Sequence, residues 1–180
     1  MELYEAIEKR RTIRHFTEPA TEEVLKRIIM AGSMAASPVN FQAWEFIIVD
    51  DPKIIEEIAQ HKYLQNEKIF PGTGTAQKNA YKSCRVVAVC CEKGLQNHYA
   101  AWMCIQNMYL AATAEGLGIV PSELWGEDRD AVQKLLGLPE NYRVAAVVLV
   151  GKQKGYPNLP KVKRRLEWSW LHRNHFGTKT

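Results

Sequence analysis

A short basic run near the start of the chain has the residue types of an anion-binding site. Residues 10–14 read Arg-Arg-Thr-Ile-Arg and follow a lysine, so four positive charges and a hydroxyl fall within six residues. Arginine presents a planar fork of donors that suits phosphate, and threonine adds a hydroxyl. In an extended chain Arg10, Thr12 and Arg14 point one way and Arg11 the other, so we expect Arg11 to be solvated. A solvated basic helix end is the alternative for the whole run.

A loop with the sequence Ser-Pro-Val-Asn-Phe-Gln-Ala-Trp, residues 37–44, is the second candidate. It combines a hydroxyl, two carboxamides and two aromatic rings. Carboxamides carry paired donor and acceptor groups that match the edge of a heterocycle. Ser37, Pro38, Asn40 and Gln42 are therefore candidate ligand-binding residues. Ser, Pro and Asn are also turn formers for backbone reasons, so a plain turn before a strand is an equal alternative.

The third candidate, residues 116–124, reads Gly-Leu-Gly-Ile-Val-Pro-Ser-Glu-Leu and follows a long helical pattern. The backbone amides of its extended part could face a planar ligand. The segment does not have the spacing of a dinucleotide-binding fingerprint and does not follow a strand. A helix cap followed by a buried connection is the alternative.

The end of the chain is basic. Residues 152–180 hold eight Lys or Arg and one Asp or Glu, whereas the chain as a whole has a net charge of +4, so the remainder is slightly acidic. Within this tail Lys161 and Lys163 alternate as Arg10 and Arg14 do. Such a tail suits nucleic acid, a membrane surface, a phosphorylated small ligand or plain solvent. The acidic remainder disfavours nucleic acid, whose partners usually carry a broad basic stripe.

Length and composition indicate one ordinary globular domain. The chain has 180 residues, of which 46% are hydrophobic and 24% charged. No segment reaches the roughly 18 apolar residues of a membrane span. The acidic start lacks the pattern of a signal peptide, so we expect a cytoplasmic protein. The four cysteines form no CxxC pair and are expected to be buried thiols, and His172 and His175 lack the neighbours of a metal site.

Hydrophobic periodicity predicts helices that alternate with strands, and hence an α+β or α/β layered domain. The polar stretch 62–82 is expected to be a long loop. The aromatic tail, with Trp168, Trp170 and Phe176, is expected to dock on another surface, such as that of a second subunit. The predicted helices cover 3–10, 22–32, 51–58, 97–115 and 128–136, and the predicted strands cover 44–49, 85–91 and 144–150.

The order of these segments resembles the nitroreductase family of FMN-dependent oxidoreductases. Residues 10–14 match its Arg-x-Ser-x-Arg/Lys, 37–44 match its Ser-x-x-Asn-x-Gln-Pro-Trp, and 116–118 match its Gly-Leu-Gly. Residues 155–163 match its Gly-Tyr-Pro followed by Pro-Lys-x-Arg/Lys. The resemblance covers nearly the whole chain. It departs at Thr12, which replaces a serine, and at Ala43, which replaces a proline.

The resemblance implies a fold and a set of cofactor-binding residues. The fold would be an α+β three-layer sandwich with a mostly antiparallel central sheet. Residues 1–180 would form one FMN-binding domain of an intertwined homodimer, with 155–180 on the partner. The phosphate and ribityl chain would be held by Arg10, Arg11, Thr12, Arg14, Lys161 and Lys163, the ribityl chain or pyrimidine edge by Ser37, Pro38, Asn40 and Gln42, and the isoalloxazine by the backbone of Pro121, Ser122, Glu123 and Leu124, with an amide near Glu123 directed at N5.

The implied activity is hydride transfer from NADH or NADPH through flavin N5 to an electron-poor small molecule, such as a nitroaromatic or a quinone, with ping-pong kinetics. The chemistry belongs to the cofactor, so no separate catalytic side chain is expected. One alternative is an enzyme of the same fold that breaks down reduced flavin or dehalogenates aromatics without NAD(P)H turnover. Another is a nucleic-acid-binding protein that uses the basic tail, which leaves the other segments unexplained. The sequence does not name the acceptor.

Overall fold

A five-stranded sheet forms the centre of the computed structural model, which describes residues 1–153, 155–156 and 170–177. The longest strand, β5, pairs antiparallel with β3, with β4 and with the short β1, and β2 pairs antiparallel with β3. Every pairing among these five strands is therefore antiparallel. The strands are β1 (Glu18–Pro19), β2 (Trp44–Val49), β3 (Arg85–Glu92), β4 (Gly118–Ser122) and β5 (Tyr142–Lys152).

Helices cover both faces of this sheet. Two of them begin at side-chain caps, because Thr21 Oγ1 accepts a hydrogen bond from the Val24 amide and the Asp51 carboxylate accepts one from the Lys53 amide. Such caps satisfy donors that the first turn leaves free. The helices are α1 (Leu3–Lys9), α2 (Glu22–Ser33), α3 (Pro52–Ile69), α4 (Gly74–Asn79), α5 (Leu95–Ala114) and α6 (Gly126–Leu135).

The apolar runs of the strands fill two separate cores. Alternate residues of β3 point to opposite faces, so Val87 and Val89 pack with α2 and α5, whereas Val86 and Ala88 pack with α3 and α6. A strand covered on both faces shows an unbroken apolar run, as β3 and β5 do. The domain is therefore a three-layer α+β sandwich, which confirms the fold class predicted from the sequence.

The prediction that residues 62–82 form a long loop is wrong. Helix α3 was predicted to end at Ile58 but continues to Ile69, and the helix α4 follows it. The buried face of the last turns of α3 is formed by Lys62, Gln65 and Asn66. Because these side chains are polar, the apolar periodicity stops at Ile58, about three turns before the helix does.

Helix α5 ends as predicted, at a glycine. Gly116 has a φ of +74°, and its amide donates to the Thr113 carbonyl while the Leu117 amide donates to the Ala112 carbonyl. This is the Schellman arrangement, which only a residue that tolerates positive φ closes without strain. The chain then enters β4 directly, so the segment read from sequence as merely extended is a strand of the sheet.

The basic run is attached to β4 by backbone and by packing. The Ile13 amide donates to the Ile119 carbonyl at 3.1 Å, and Thr12 forms a parallel bridge with Ile119. Ile13 is buried, and a Cβ atom on Gly118 would lie 2.6 Å from its Cγ2. Glycine at position 118 therefore lets the N-terminal segment approach the strand.

The cysteines are free thiols, as expected. Burial raises the pKa of Cys84, Cys90 and Cys104 to about 12, and it also raises the pKa of Cys91. These thiols are therefore protonated and poorly nucleophilic near neutral pH. In the described part of the chain no helix is long and apolar enough to cross a membrane, and no group of three potential ligands could hold a metal ion.

Replacement of Gly118 by alanine should loosen the N-terminal segment. The new methyl group would overlap Ile13, so we expect a loss of about 1–3 kcal/mol in the free energy of unfolding, typical of overpacking. Amide hydrogen exchange should accelerate at Ile13, which loses its bond to β4. Gly72→Ala is the control: its added Cβ meets no atom within 4 Å, but its φ of +84° strains the backbone, so it should lower stability without selectively accelerating exchange at Ile13. Unchanged protection at Ile13 in Gly118→Ala would contradict this account of the contact.

Candidate functional site

Arg10 and Thr12 both contact the side chain of Tyr109, a residue of helix α5. Thr12 Oγ1 lies 3.1 Å from the hydroxyl of Tyr109, and the Arg10 guanidinium carbon lies 4.9 Å from the centre of the Tyr109 ring. Burial raises the pKa of Tyr109, so the ring stays a neutral phenol. Thr12 itself is exposed, although its neighbour Ile13 is buried. The alternation predicted for the run is therefore present, with the polar side chains outward.

Arg11 has a different role from the one expected. Its guanidinium donates to the carbonyl of Glu8 at 2.7 Å and to that of Arg10 at 2.9 Å, and the side chain is half-buried. The last carbonyls of a helix lack intrahelical donors, and Arg11 supplies two at the end of α1. The expectation that Arg11 is the solvated member of the run is therefore wrong.

Arg14 lies at the border of a cleft of about 440 Å³ between β4 and α3. This volume is in the range of small-molecule sites. The cleft is lined by polar and by aromatic residues. Its polar or charged lining residues are Arg14, Lys62, Gln65, Asn66, Thr73, Gln77 and Glu123, and its apolar ones are Ile69, Phe70, Trp102, Pro121 and Trp125.

The backbone at the end of β4 is held in place by α3. The Glu123 carbonyl accepts from Lys62 Nζ at 2.7 Å and from Gln65 Nε2 at 3.1 Å. The Gln65 carboxamide oxygen in turn accepts from the Trp125 amide at 2.6 Å. The peptide after Glu123 therefore has a fixed orientation beside the cleft.

Lys62 is a buried cation in this site. Burial lowers its pKa to about 8; the nearby Arg14 acts in the same direction, and the charges of Glu123 and Asp128 oppose it. Asp128 is engaged elsewhere, since its carboxylate contacts His61 Nδ1 at 3.0 Å. Among the described residues no carboxylate forms an ion pair with Lys62.

Ser122 and Leu124 face away from the cleft. The Ser122 hydroxyl accepts a hydrogen bond of 2.9 Å from the buried Tyr81 hydroxyl. Leu124 packs in the core beneath α6. Of the four residues predicted along this segment, Pro121 and Glu123 line the cleft, whereas Ser122 and Leu124 are not among its lining residues.

The loop at residues 37–42 is closed by its own polar groups. Ser37 Oγ accepts from the Gln42 amide at 3.0 Å, and Gln42 Nε2 donates to the Asn40 carbonyl at 3.3 Å. Val39, Asn40 and Gln42 all have positive φ, which is unfavourable for side-chain-bearing residues. In the described chain none of the loop's residues, Pro38 included, lines the cleft. The structure therefore does not bring the loop to Arg14 within one subunit.

The start of the basic tail is attached one helical turn after Tyr109. The Tyr156 hydroxyl lies 2.7 Å from Thr113 Oγ1, and both groups are buried. Lys161 and Lys163, predicted to join the anion site, lie outside the described residues. Trp168, expected in a docking tail, lies outside them as well.

Sequence reasoning missed the residues that α3 contributes. Lys62, Gln65 and Asn66 have the i, i+3, i+4 spacing of one helix face and continue the stripe of Ile58. A search for polar residues that extend an apolar stripe would have found them. Trp102 and Trp125, which also line the cleft, have no comparable pattern in the sequence around them.

The fold is a three-layer antiparallel sandwich in which a basic segment and a cleft lie beside strand β4, an arrangement typical of a ligand-binding α+β domain. The model of the Nitroreductase family matches residues 7–88 and 95–152. The chain belongs to the nitroreductase family, as its motifs predicted.

Individual relatives are similar along nearly the whole chain. An NADH dehydrogenase/NAD(P)H nitroreductase of Archaeoglobus fulgidus is 27% identical over 184 residues, which cover 96% of this chain and 97% of the relative. The solved NADPH:FMN oxidoreductase of Vibrio harveyi, complexed with NAD⁺, is 27% identical with a TM-score of 0.76, and the match covers 99% of this chain and 79% of that one. A solved oxidised iodotyrosine deiodinase, bound to FMN and 3-iodo-L-tyrosine, is 25% identical with a TM-score of 0.78 and coverages of 97% and 99%.

Lys62 should give the protein a characteristic pH dependence of stability. Its pKa is about 8 in the folded chain and about 10.4 in an unfolded one. Below pH 8 both states are protonated and the cost of burying the charge is present in full. From pH 8 to 10 the unfolded state binds more protons, so stability rises with pH. Between pH 7 and 10, wild type should gain about 2 kcal/mol relative to Lys62→Met in urea unfolding.

Lys68→Met is the matched control for this measurement, because Lys68 is an exposed lysine of the same helix. It should follow the wild-type pH dependence. Parallel curves for wild type and Lys62→Met would show that the amine is not buried as described.

Proposed function

We propose that this protein is an FMN-dependent oxidoreductase that passes hydride from NADH or NADPH to an electron-poor small molecule. The observation that carries the proposal is the meeting of Arg14 with the backbone of Pro121 and Glu123 in one cleft. A guanidinium suits a phosphate, and a fixed backbone edge between aromatic side chains suits a planar ring. The donors present therefore fit FMN.

Each part of the cofactor has proposed partners. Arg10, Thr12 and Arg14 hold the phosphate and ribityl chain, together with Lys161 and Lys163 from the tail. Ser37, Pro38, Asn40 and Gln42 contact the ribityl chain or the pyrimidine edge, and the backbone from Pro121 to Leu124 lies along the ring. When bound, FMN supplies the ability to accept a hydride and to pass it on.

The side chains of the cleft prepare the surroundings for that chemistry. Lys62 and Gln65 hold the Glu123 carbonyl, which keeps the adjoining peptide groups in one orientation. The side chains of Trp102 and Trp125 exclude water from part of the cleft. In such an environment the positive charges of Lys62 and Arg14 stabilise negative charge that develops nearby more strongly than they would in water.

A homodimer completes the proposed site. The loop at 37–42 lies apart from the cleft of its own chain, and its Val39 and Phe41 side chains are exposed. Further apolar side chains are exposed on α1, α2 and α5, namely Tyr4, Ile7, Met30, Met34, Tyr99 and Met103. An exposed apolar surface of this kind marks a protein interface. In the proposed dimer the loop of one subunit and the tail 155–180 reach the other subunit.

A second candidate function is reductive dehalogenation of an aromatic compound, or breakdown of reduced flavin, without NAD(P)H turnover. Its support is the similarity to the iodotyrosine deiodinase, whose solved structure holds FMN beside an iodinated aromatic amino acid. A cleft with aromatic walls accommodates either class of compound.

Removal of one proposed phosphate contact should weaken FMN binding. A charge-assisted hydrogen bond contributes about 1.5–3 kcal/mol, so Arg14→Ala and Lys161→Ala should each raise the FMN dissociation constant by roughly 10- to 100-fold. Flavin fluorescence quenching measures this constant. Lys26→Ala, which alters net charge equally on an exposed face of α2, should leave it unchanged. If neither Arg14→Ala nor Lys161→Ala affects binding, the phosphate assignment is wrong, and a protein that takes up no FMN at all refutes the function.

Turnover separates the two candidate functions. The FMN-loaded protein should oxidise NADPH or NADH in the presence of a quinone or nitroaromatic, and initial rates at several acceptor concentrations should give parallel double-reciprocal lines. Deiodination of 3-iodo-L-tyrosine by dithionite-reduced protein, or oxygen-dependent loss of reduced FMN, with no NAD(P)H oxidation, would instead establish the second candidate.

A further inference from the structure

The amine of Lys62 has an unusual environment. The residue is 7% exposed, and among the described residues its amine forms one hydrogen bond, to the neutral Glu123 carbonyl. An ammonium has three donors, so two remain for other groups. Burial of a cation that forms no ion pair is costly.

The carboxylates near Lys62 do not serve as its counter-ion. Asp128 is held by His61 and lies 3.7 Å from Lys68. Glu123 contacts Lys62 through its backbone carbonyl. Arg14 lines the same cleft, and its positive charge near the amine adds to the need for an anion.

The surroundings of the amine favour a planar partner. Lys62 Nζ lies 5.7 Å from the centre of the Trp125 ring, which borders the cleft together with Trp102 and Phe70. The side-chain amides of Gln65 and Asn66 line the same side as the amine. A cation beside aromatic walls matches a flat ring that carries a negatively charged substituent.

We propose that Lys62 makes this cleft selective for planar electron acceptors that bear a carboxylate or another oxyanion, over neutral acceptors of the same shape. The proposal rests on the proposed function for its redox step, whereas the binding preference needs only the cleft. Lys62 is here a specificity residue that contacts the acceptor, and it adds no chemical step to hydride transfer.

A purely structural role for Lys62 makes a different prediction. If the amine merely fixed the Glu123 carbonyl, its removal would weaken charged and neutral acceptors alike. If it also pairs with the acceptor, its removal weakens the charged acceptor more than the neutral one. The ratio of the two separates these roles.

The test compares 4-nitrobenzoate with its neutral isostere 4-nitrobenzamide. Wild type should prefer the carboxylate by about 10- to 100-fold in kcat/KM, the range expected for one charge-assisted hydrogen bond. In Lys62→Met this preference should fall at least tenfold. Release of the Glu123 carbonyl lowers kcat/KM for both probes, so the ratio of the two is the readout, and the additional loss for the carboxylate should lie mainly in KM. Lys62→Arg should retain most of the preference, and Lys68→Met should retain all of it.

The pH dependence in wild type gives a check that needs no variant. The groups that face the amine are Glu123, Asp128, Arg14 and, through Asp128, His61. Since the pKa of Lys62 in the free protein is about 8, the kcat/KM ratio of the two probes should decline as pH rises through that value. A ratio that is flat from pH 6.5 to 9.5 would overturn the proposal even if Lys62→Met failed to fold.

Equilibrium binding keeps the outcome separate from that of the proposed function. Calorimetry with each probe, without reductant, should show tighter binding of 4-nitrobenzoate to wild type and equal binding of both probes to Lys62→Met. If the protein lacks NAD(P)H turnover, the redox function fails while this binding preference still decides the role of Lys62. Equal binding of both probes to wild type, or an equal loss of both in Lys62→Met, would overturn the inference.

Discussion

The contact of Ile13 with Gly118 fixes where the basic run lies relative to β4, and the rest of the site is arranged around that strand. Because position 118 has no side chain, the N-terminal segment lies against β4, and the Ile13 amide bonds to Ile119. That bond fixes which residues of the basic run face outward. The same strand continues to Pro121, which pairs opposite Val148 of β5. The register of one strand thus determines both where Arg14 lies and where the floor of the cleft lies, and a slip by one residue would reverse the facing of β4.

Helix α5 holds two segments that are far apart in the sequence, the basic run and the start of the tail. Tyr109 contacts Thr12 from the N-terminal segment, and Thr113, one turn later, contacts Tyr156 at the start of the tail. Tyr109, Thr113 and Tyr156 are buried, and buried hydroxyl groups have to find partners when they leave water. The tail therefore begins close to the basic run, which agrees with the proposal that Lys161 and Lys163 reach the same anion.

The sequence carried much of the fold because most of its signals are local. The strand at 44–49 is bounded as predicted, and the cap at Gly116 is visible as a glycine after a long stripe. The end of α3 was not predictable from apolar periodicity, because Lys62 and Gln65 are buried where they donate to the carbonyl of Glu123, directly after β4. Arg11 was misjudged because alternation describes an extended chain, whereas its partners are the carbonyls of the preceding helix. Motif order predicted which segments belong to the site, but it gave no indication that α3 supplies one wall.

The polar underside of α3 has a consequence for protein engineering. A stability-guided redesign would replace Lys62, Gln65 and Asn66 with leucine or alanine, because each is a buried polar residue on a helix packed against a core. Such a variant would melt at a higher temperature, yet it would have lost the carbonyl clamp and one wall of the cleft. The buried polar stretch of α3 is also the one that lines the cleft, so gains in thermostability should be sought on the outer faces of α2 and α6.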